Sequence, residues 1–77
     1  MIMTLEEFVI KIAGEFDETP IEEFTPDTEF KALDEWSSLS GLSIISMVDE
    51  ELDKQVTGAD LRSVVTIGDL YDLIQQK

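Results

Sequence analysis

The chain contains no cysteine and no histidine. Without cysteine there is no disulfide framework and no thiolate metal site. Without histidine, the commonest general base and metal ligand is missing, and no Ser-His or Cys-His nucleophile can be assembled. Any reactive thiol must come from outside the chain. Cations are scarce too: 5 Lys and Arg stand against 18 Asp and Glu, for a net charge of -13. Such a surface lacks the cationic footprint that nucleic acid or anionic lipid requires. No apolar run is long enough to span a membrane. Met1-Ile2-Met3-Thr4 leads straight into acidic residues, with neither the basic region nor the apolar core of a secretory signal. The cytoplasm is the expected compartment.

What remains is short and regularly patterned. The 77 residues predict a single domain, 1–77. Hydrophobic residues make up 43 % and recur at helical spacing, which argues against disorder. The acidic surface favours basic partner proteins and speeds their encounter. It also serves plain solubility.

Thr4 and Glu7 have capping-box spacing. Leu5, Phe8, Val9, Ile12 and Phe16 follow as one stripe, predicting a helix over about residues 4–16. Residues 17–36 form a long connection. Pro20 and Pro26 disfavour helix just before themselves, and Pro26-Asp27 reads as a turn. Ile21, Phe24, Phe30, Leu33 and Trp36 punctuate the segment, so it is expected to pack across the molecule and to contain a short helical turn.

Ser37 is the expected cap of a second helix that starts at Ser38 and runs to about Asp53. Ile44, Ile45, Val48 and Leu52 share its core face. Leu39, Leu42 and Met47 fall outside that stripe, beside Ser40, Ser43 and Ser46. Large apolar residues among small polar ones suggest a surface that other proteins touch. The alternative is that the long connection covers them. Thr57 and Asp60 open a short helix to about Ser63, and Val64 and Val65 read as buried connectors. Thr66 and Asp69 open a last helix with the stripe Ile67, Leu70, Tyr71 and Ile74, its first turn slightly weakened by Gly68. No strand pattern is present. The expected fold is all-α, with three main helices, one short helix and a long first loop.

The segment from Leu33 to Leu52 carries the chemistry. Its centre, Trp36-Ser37-Ser38-Leu39-Ser40, resembles the acyl carrier protein family, which sets its modified serine in an Asp-Ser-Leu motif at the start of the second helix. Ser38-Leu39 matches the Ser-Leu, and no gap is needed from Ser38 to the end of the chain. The resemblance implies a small four-helix bundle of acyl-carrier type. It implies Ser38 as the attachment point of a covalent 4'-phosphopantetheine, delivered from coenzyme A by a phosphopantetheinyl transferase that supplies the base and metal ion. The arm's thiol would carry acyl groups as thioesters for fatty-acid or polyketide-type biosynthesis. Leu39, Leu42, Met47, Asp49 and Glu50 would face acyl-processing enzymes with basic surfaces. The protein would be a monomer, a carrier serving other enzymes, with no catalytic residue or metal ligand of its own.

The physical chemistry of the position agrees. A helix N-terminus offers free N–H groups and a positive dipole end to a phosphodiester. The same features make Ser38 an ordinary capping residue, and Ser37 competes with it for modification. Ser37 stands where the family usually has aspartate, and Ser40 and Ser43 where it often has acidic residues. The acidic cluster lies instead at Asp49, Glu50, Glu51 and Asp53. Two other readings share the fold: an unmodified acidic interaction protein, and a specialised carrier for an activated amino acid. A calcium loop fits poorly, because Lys54 sits where such a loop needs glycine and Asp60 where it needs glutamate.

Overall fold

The computed structural model describes residues 3–77. Helix α1 spans Leu5–Ala13, α2 Ser38–Leu52, α3 Gly58–Ser63 and α4 Ile67–Gln75. Among the described residues there is no strand. Two single turns of 3-10 helix, Ile21–Glu23 and Phe30–Ala32, lie in the long connection, where one helical turn was expected.

Every helix starts at a capping box. The Thr4 hydroxyl accepts from the Glu7 N–H at 3.1 Å, and the Glu7 carboxylate accepts from the Thr4 N–H at 2.9 Å. Thr57 with Asp60 and Thr66 with Asp69 repeat the exchange at 3.0–3.1 Å. These bonds satisfy N–H groups that no helix can satisfy internally. Helix α1 stops at Ala13, short of Phe16. Beyond it the N–H groups of Glu15 and Phe16 bond three residues back, to Ile12 and Ala13. The tighter turn still delivers Phe16 to the core.

The core is one cluster, with Phe8, Ile12, Phe30, Ile44, Val48, Ile67, Leu70 and Ile74 fully enclosed. Helix α1 packs on α4, where the Phe8 and Tyr71 rings meet at 5.6 Å and the Tyr71 hydroxyl donates to the Met3 carbonyl. The connection is fixed at both ends. Phe16 packs on Phe24 and Trp36, and Trp36 also meets Phe30 edge-on. The carbonyls of Thr28 and Pro26 accept the N–H groups of Ile67 and Gly68 at 3.1 and 2.8 Å. Those are the first two N–H groups of α4, which lack partners within it. A Cβ at Gly68 would lie 3.1 Å from the Pro26 oxygen, so any larger residue would push the connection back by a few tenths of an ångström. The residue that weakens the first turn is what lets the connection dock on it.

Several placements differ from expectation. Met47 is buried, 7 % exposed, and belongs to the core. The inward stripe of α2 is Ser40, Gly41, Ile44, Met47 and Val48, while Ile45 and Leu52 sit at its edges, partly buried. The connection meets this side of α2, where the Ser40 hydroxyl donates to the Glu35 carbonyl at 3.5 Å and the Trp36 ring lies over Gly41. Val65 is exposed, not a buried connector, and Ile21 is exposed on its 3-10 turn. No second layer lies outside α4 or that turn to receive them.

Helix α2 ends at Asp53 in the left-handed conformation, φ 55° and ψ 39°, its N–H bonded to the Asp49 carbonyl. An aspartate there is strained, and its charge opposes the helix dipole. Asp53→Gly is expected to gain about 1 kcal/mol, or roughly 4–8 °C in the thermal midpoint. An unchanged midpoint would show that the turn is relaxed. Acid acts through the caps. Bonds from the Thr4, Thr57 and Thr66 N–H groups hold the Glu7, Asp60 and Asp69 carboxyls below their ordinary values. A carboxyl depressed in the folded state contributes stability above its unfolded value, and that stability is lost as pH falls through the folded one. The melting temperature should therefore drop as pH falls below about 4. Asp60→Asn with Asp69→Asn should flatten that limb in circular dichroism melts, and an unchanged limb would rule the caps out as its cause.

Candidate functional site

The start of α2 is built from the residue before it backward. Trp36 is held by Phe16 at 6.4 Å and Phe30 at 5.6 Å, and its N–H bonds the Leu33 carbonyl at 3.0 Å. Its ring lies over Gly41, where an added Cβ would touch it at 3.5 Å. The indole therefore sets the approach of the connection to the first turn of α2. Ser37 follows in extended conformation as the N-cap, and Ser38 is the first helical residue, exposed to solvent.

This cap is the weakest of the four. The Ser37 hydroxyl accepts from the Ser40 N–H at 3.4 Å, and the Ser40 hydroxyl accepts from the Ser37 N–H at 3.3 Å. Elsewhere a carboxylate occupies the third position. Helices α1, α3 and α4 each have an acidic residue in the first turn, and α2 has none. The positive end of its dipole is left for something other than the chain's own carboxylates.

Glu35, three residues before Ser38, is committed to structure. Its carboxylate accepts from the Glu18 N–H at 3.0 Å and the Thr19 hydroxyl at 2.8 Å. Burial alone would raise it, but these bonds, with help from the Asp17 and Thr19 N–H groups, outweigh that and leave its pKa lowered. It is an anchor for the connection, and it is engaged where a general base would need to be free.

Two of the depressions along α2 bear on the site. One, of about 500 Å³, is lined by Leu39, Leu42, Ser43, Ser46 and Glu50, with Met47 at its floor and Glu15, just past the end of α1, at its edge. Leu39 and Leu42 stand 74 % and 61 % exposed. Asp49 and Glu50 are exposed one to two turns further on. The other, of about 430 Å³, opens beside Ser38 between α2 and α3, over Trp36, Gly41, Ile45 and Leu61. So Ser38, Leu39, Leu42, Asp49 and Glu50 share the exposed side of one helix, and Met47 reaches it only from beneath.

Residues 7–74 match the family model described as a phosphopantetheine attachment site. The chain belongs to that family. No curated protein and no solved structure matches it. The site of this family carries a covalent 4'-phosphopantetheine, and the residues present fit one. The exposed hydroxyl of Ser38 sits at the positive end of a fifteen-residue helix with no carboxylate in its first turn, next to a largely apolar cleft. As a phosphopantetheine-carrying protein the chain needs neither a catalytic base nor a thiol of its own.

Sequence reasoning missed the cleft's far wall. Lys31, Leu61 and Arg62 come from the connection and α3, and no spacing rule joins them to Ser38. The one available signal was Gly41, three residues after Ser38, beneath a preceding tryptophan.

The weak cap gives a prediction. Ser37→Asp restores the acidic residue usual in the family and places charge at the dipole's positive end, for a gain of about 0.3–1 kcal/mol. Ser37→Ala should cost about 0.5 kcal/mol, the low end for lost caps, because the bonds are already long. Urea denaturation checks both, and a Ser37→Asp chain no more stable than the native one would refute the account of the cap.

Proposed function

We propose that the chain is an acyl carrier whose arm is attached at Ser38, acting as a cytoplasmic monomer in fatty-acid or related polyketide-type biosynthesis. One observation carries the reading: within the family match, Ser38 is the exposed serine at the first position of α2, followed by Leu39 and bordered by the cleft. The Ser38 Oγ would form a new P–O bond to the phosphopantetheinyl phosphorus of coenzyme A as the pyrophosphate P–O bond breaks and adenosine 3',5'-bisphosphate leaves, the hydroxyl proton passing to a base on the transferase. When bound, the group supplies the thiol on which acyl groups ride as thioesters. The chain's own residues present and orient that attachment point. The N–H groups of Ser38 and Leu39, the first two of α2, would be available to a phosphodiester attached there.

Leu39 and Leu42 supply the apolar centre of a docking surface, and Asp49 and Glu50 its charged edge for basic enzymes. Met47 contributes only the floor of that surface.

Intact-mass measurement after incubation with coenzyme A and a phosphopantetheinyl transferase tests the proposal. Gain of one phosphopantetheinyl group is expected, lost in Ser38→Ala and retained in Ser37→Ala. No gain with several transferases would leave an unmodified interaction protein as the better reading. Gain in Ser38→Ala that is lost in Ser37→Ala would move the site by one residue.

A further inference from the structure

The five cations of this acidic chain are not distributed at random. Lys11 pairs with Glu51 at 3.2 Å and Lys77 with Asp60 at 2.9 Å. Lys54 donates to the carbonyl oxygen of Lys77 at 2.7 Å. The remaining two, Lys31 and Arg62, have no carboxylate partner among the described residues, and both line the cleft beside Ser38. Of the two, only Lys31 is fixed in place by a hydrogen bond to the described residues. The Lys31 ammonium is held by the Leu61 carbonyl at 2.6 Å, which spans the cleft's floor from the connection to α3. Arg62 lies one turn after Gly58 on the same face of α3, where an added Cβ would approach its guanidinium at 3.5 Å. Between the two cations and Ser38 the wall is apolar: Trp36, Ile45 and Leu61.

We infer that this cleft receives a carried acyl group that ends in a carboxylate, with Lys31 and Arg62 taking the carboxylate and the apolar wall taking the methylenes. The inference rests on the reading of Ser38 as the attachment point. An ammonium and a guanidinium with no carboxylate partner among the described residues, in a molecule of net charge -13, form a local site for an oxyanion, since the Leu61 carbonyl engages only one of the ammonium's three N–H groups. The arm's own phosphodiester is a second source of oxyanion, but it would be attached at Ser38 itself, where the first-turn N–H groups of α2 are available to it. The cations across the cleft are left for the cargo. The volume of about 430 Å³ is that of a small-ligand cleft. It suits a short chain with a charged end better than a long hydrocarbon, which would have to pass two cations.

The test compares three forms of the protein: arm alone, arm with a pentanoyl group, and arm with a glutaryl group, the last two joined by an amide so that they do not hydrolyse. Nuclear magnetic resonance reads the Arg62 side-chain N–H and the Leu61 and Ile45 amides. The glutaryl form should shift the Arg62 signal beyond both other forms. The extra shift should vanish in Arg62→Gln, shrink in Lys31→Gln, and fade in about 1 M salt, where charges are screened within a few ångströms. Arg62 is exposed and holds no hydrogen bond to the described residues, so Arg62→Gln should melt like the native chain. Equal Arg62 shifts in the glutaryl and pentanoyl forms would overturn the inference. A full shift in the arm-only form would also overturn it, assigning the cations to the phosphodiester. Intact mass reports attachment separately. If Ser38 takes no arm, the reading of Ser38 fails, and titration of the unmodified chain with S-glutaryl-pantetheine against S-pentanoyl-pantetheine still decides whether the cleft selects a carboxylate.

Discussion

The indole of Trp36 sets where the functional helix begins. Phe16 in the turn after α1 and Phe30 in the connection grip it from two sides, and Gly41 of α2 lies beneath it. Aromatic contacts of this kind contribute about 0.5–1.5 kcal/mol each beyond the area they bury, which is large beside the small stability of a domain this short. Their effect is also geometric. Three segments distant in sequence converge on one ring, and the chain leaves that ring through Ser37 into the first turn of α2. Ser38 is exposed because the residue two before it is not free to move. The cleft beside Ser38 has the same origin, since the uncovered edge of the indole forms part of its wall.

The helix starts were legible because each rests on a local rule. A hydroxyl and a carboxylate three residues apart satisfy each other's backbone whatever the rest of the molecule does, and Thr4, Thr57 and Thr66 all behave so. The core stripes of α1 and α4 were legible for a similar reason, since each helix meets the interior along one face. Helix α2 is different. It is covered on more than one side, so its inward face is wider than a single stripe. Met47 and Ser40 turn inward, Ser40 toward the connection, which periodicity within α2 has no means of reporting. The connection was the least legible part. Its order comes from Thr28 and Pro26 capping α4 about forty residues later, and from aromatic contacts with Phe16. Val65 and Ile21 failed in the opposite sense: apolar identity suggested burial, and no element lies over them.

Of the candidate site, Ser38, Leu39 and Leu42 were visible because they lie on one helix beside a recognisable serine motif. Lys31 and Arg62 were not. They reach the cleft from opposite sides of α2 in sequence, and the bond from Lys31 to the Leu61 carbonyl is what brings them to one wall.

Charge gives these parts a common logic. The carboxylates at the starts of α1, α3 and α4 are engaged in caps, and Glu35 is engaged by Glu18 and Thr19. Around Ser38, by contrast, Ser37, Ser40 and Ser43 leave the first turns of α2 without negative charge. Two of the five cations face the same place. In a chain of net charge -13 this leaves the first turns of α2, where the proposed attachment point lies, without a carboxylate of their own. A carboxylate at position 37 would improve the cap and oppose the phosphodiester. Serine gives up some helix stability and lowers the electrostatic cost of the modification. Serine in place of the aspartate and the pair of cations without a carboxylate partner among the described residues therefore act in the same direction, toward a site that tolerates more negative charge than the rest of the surface.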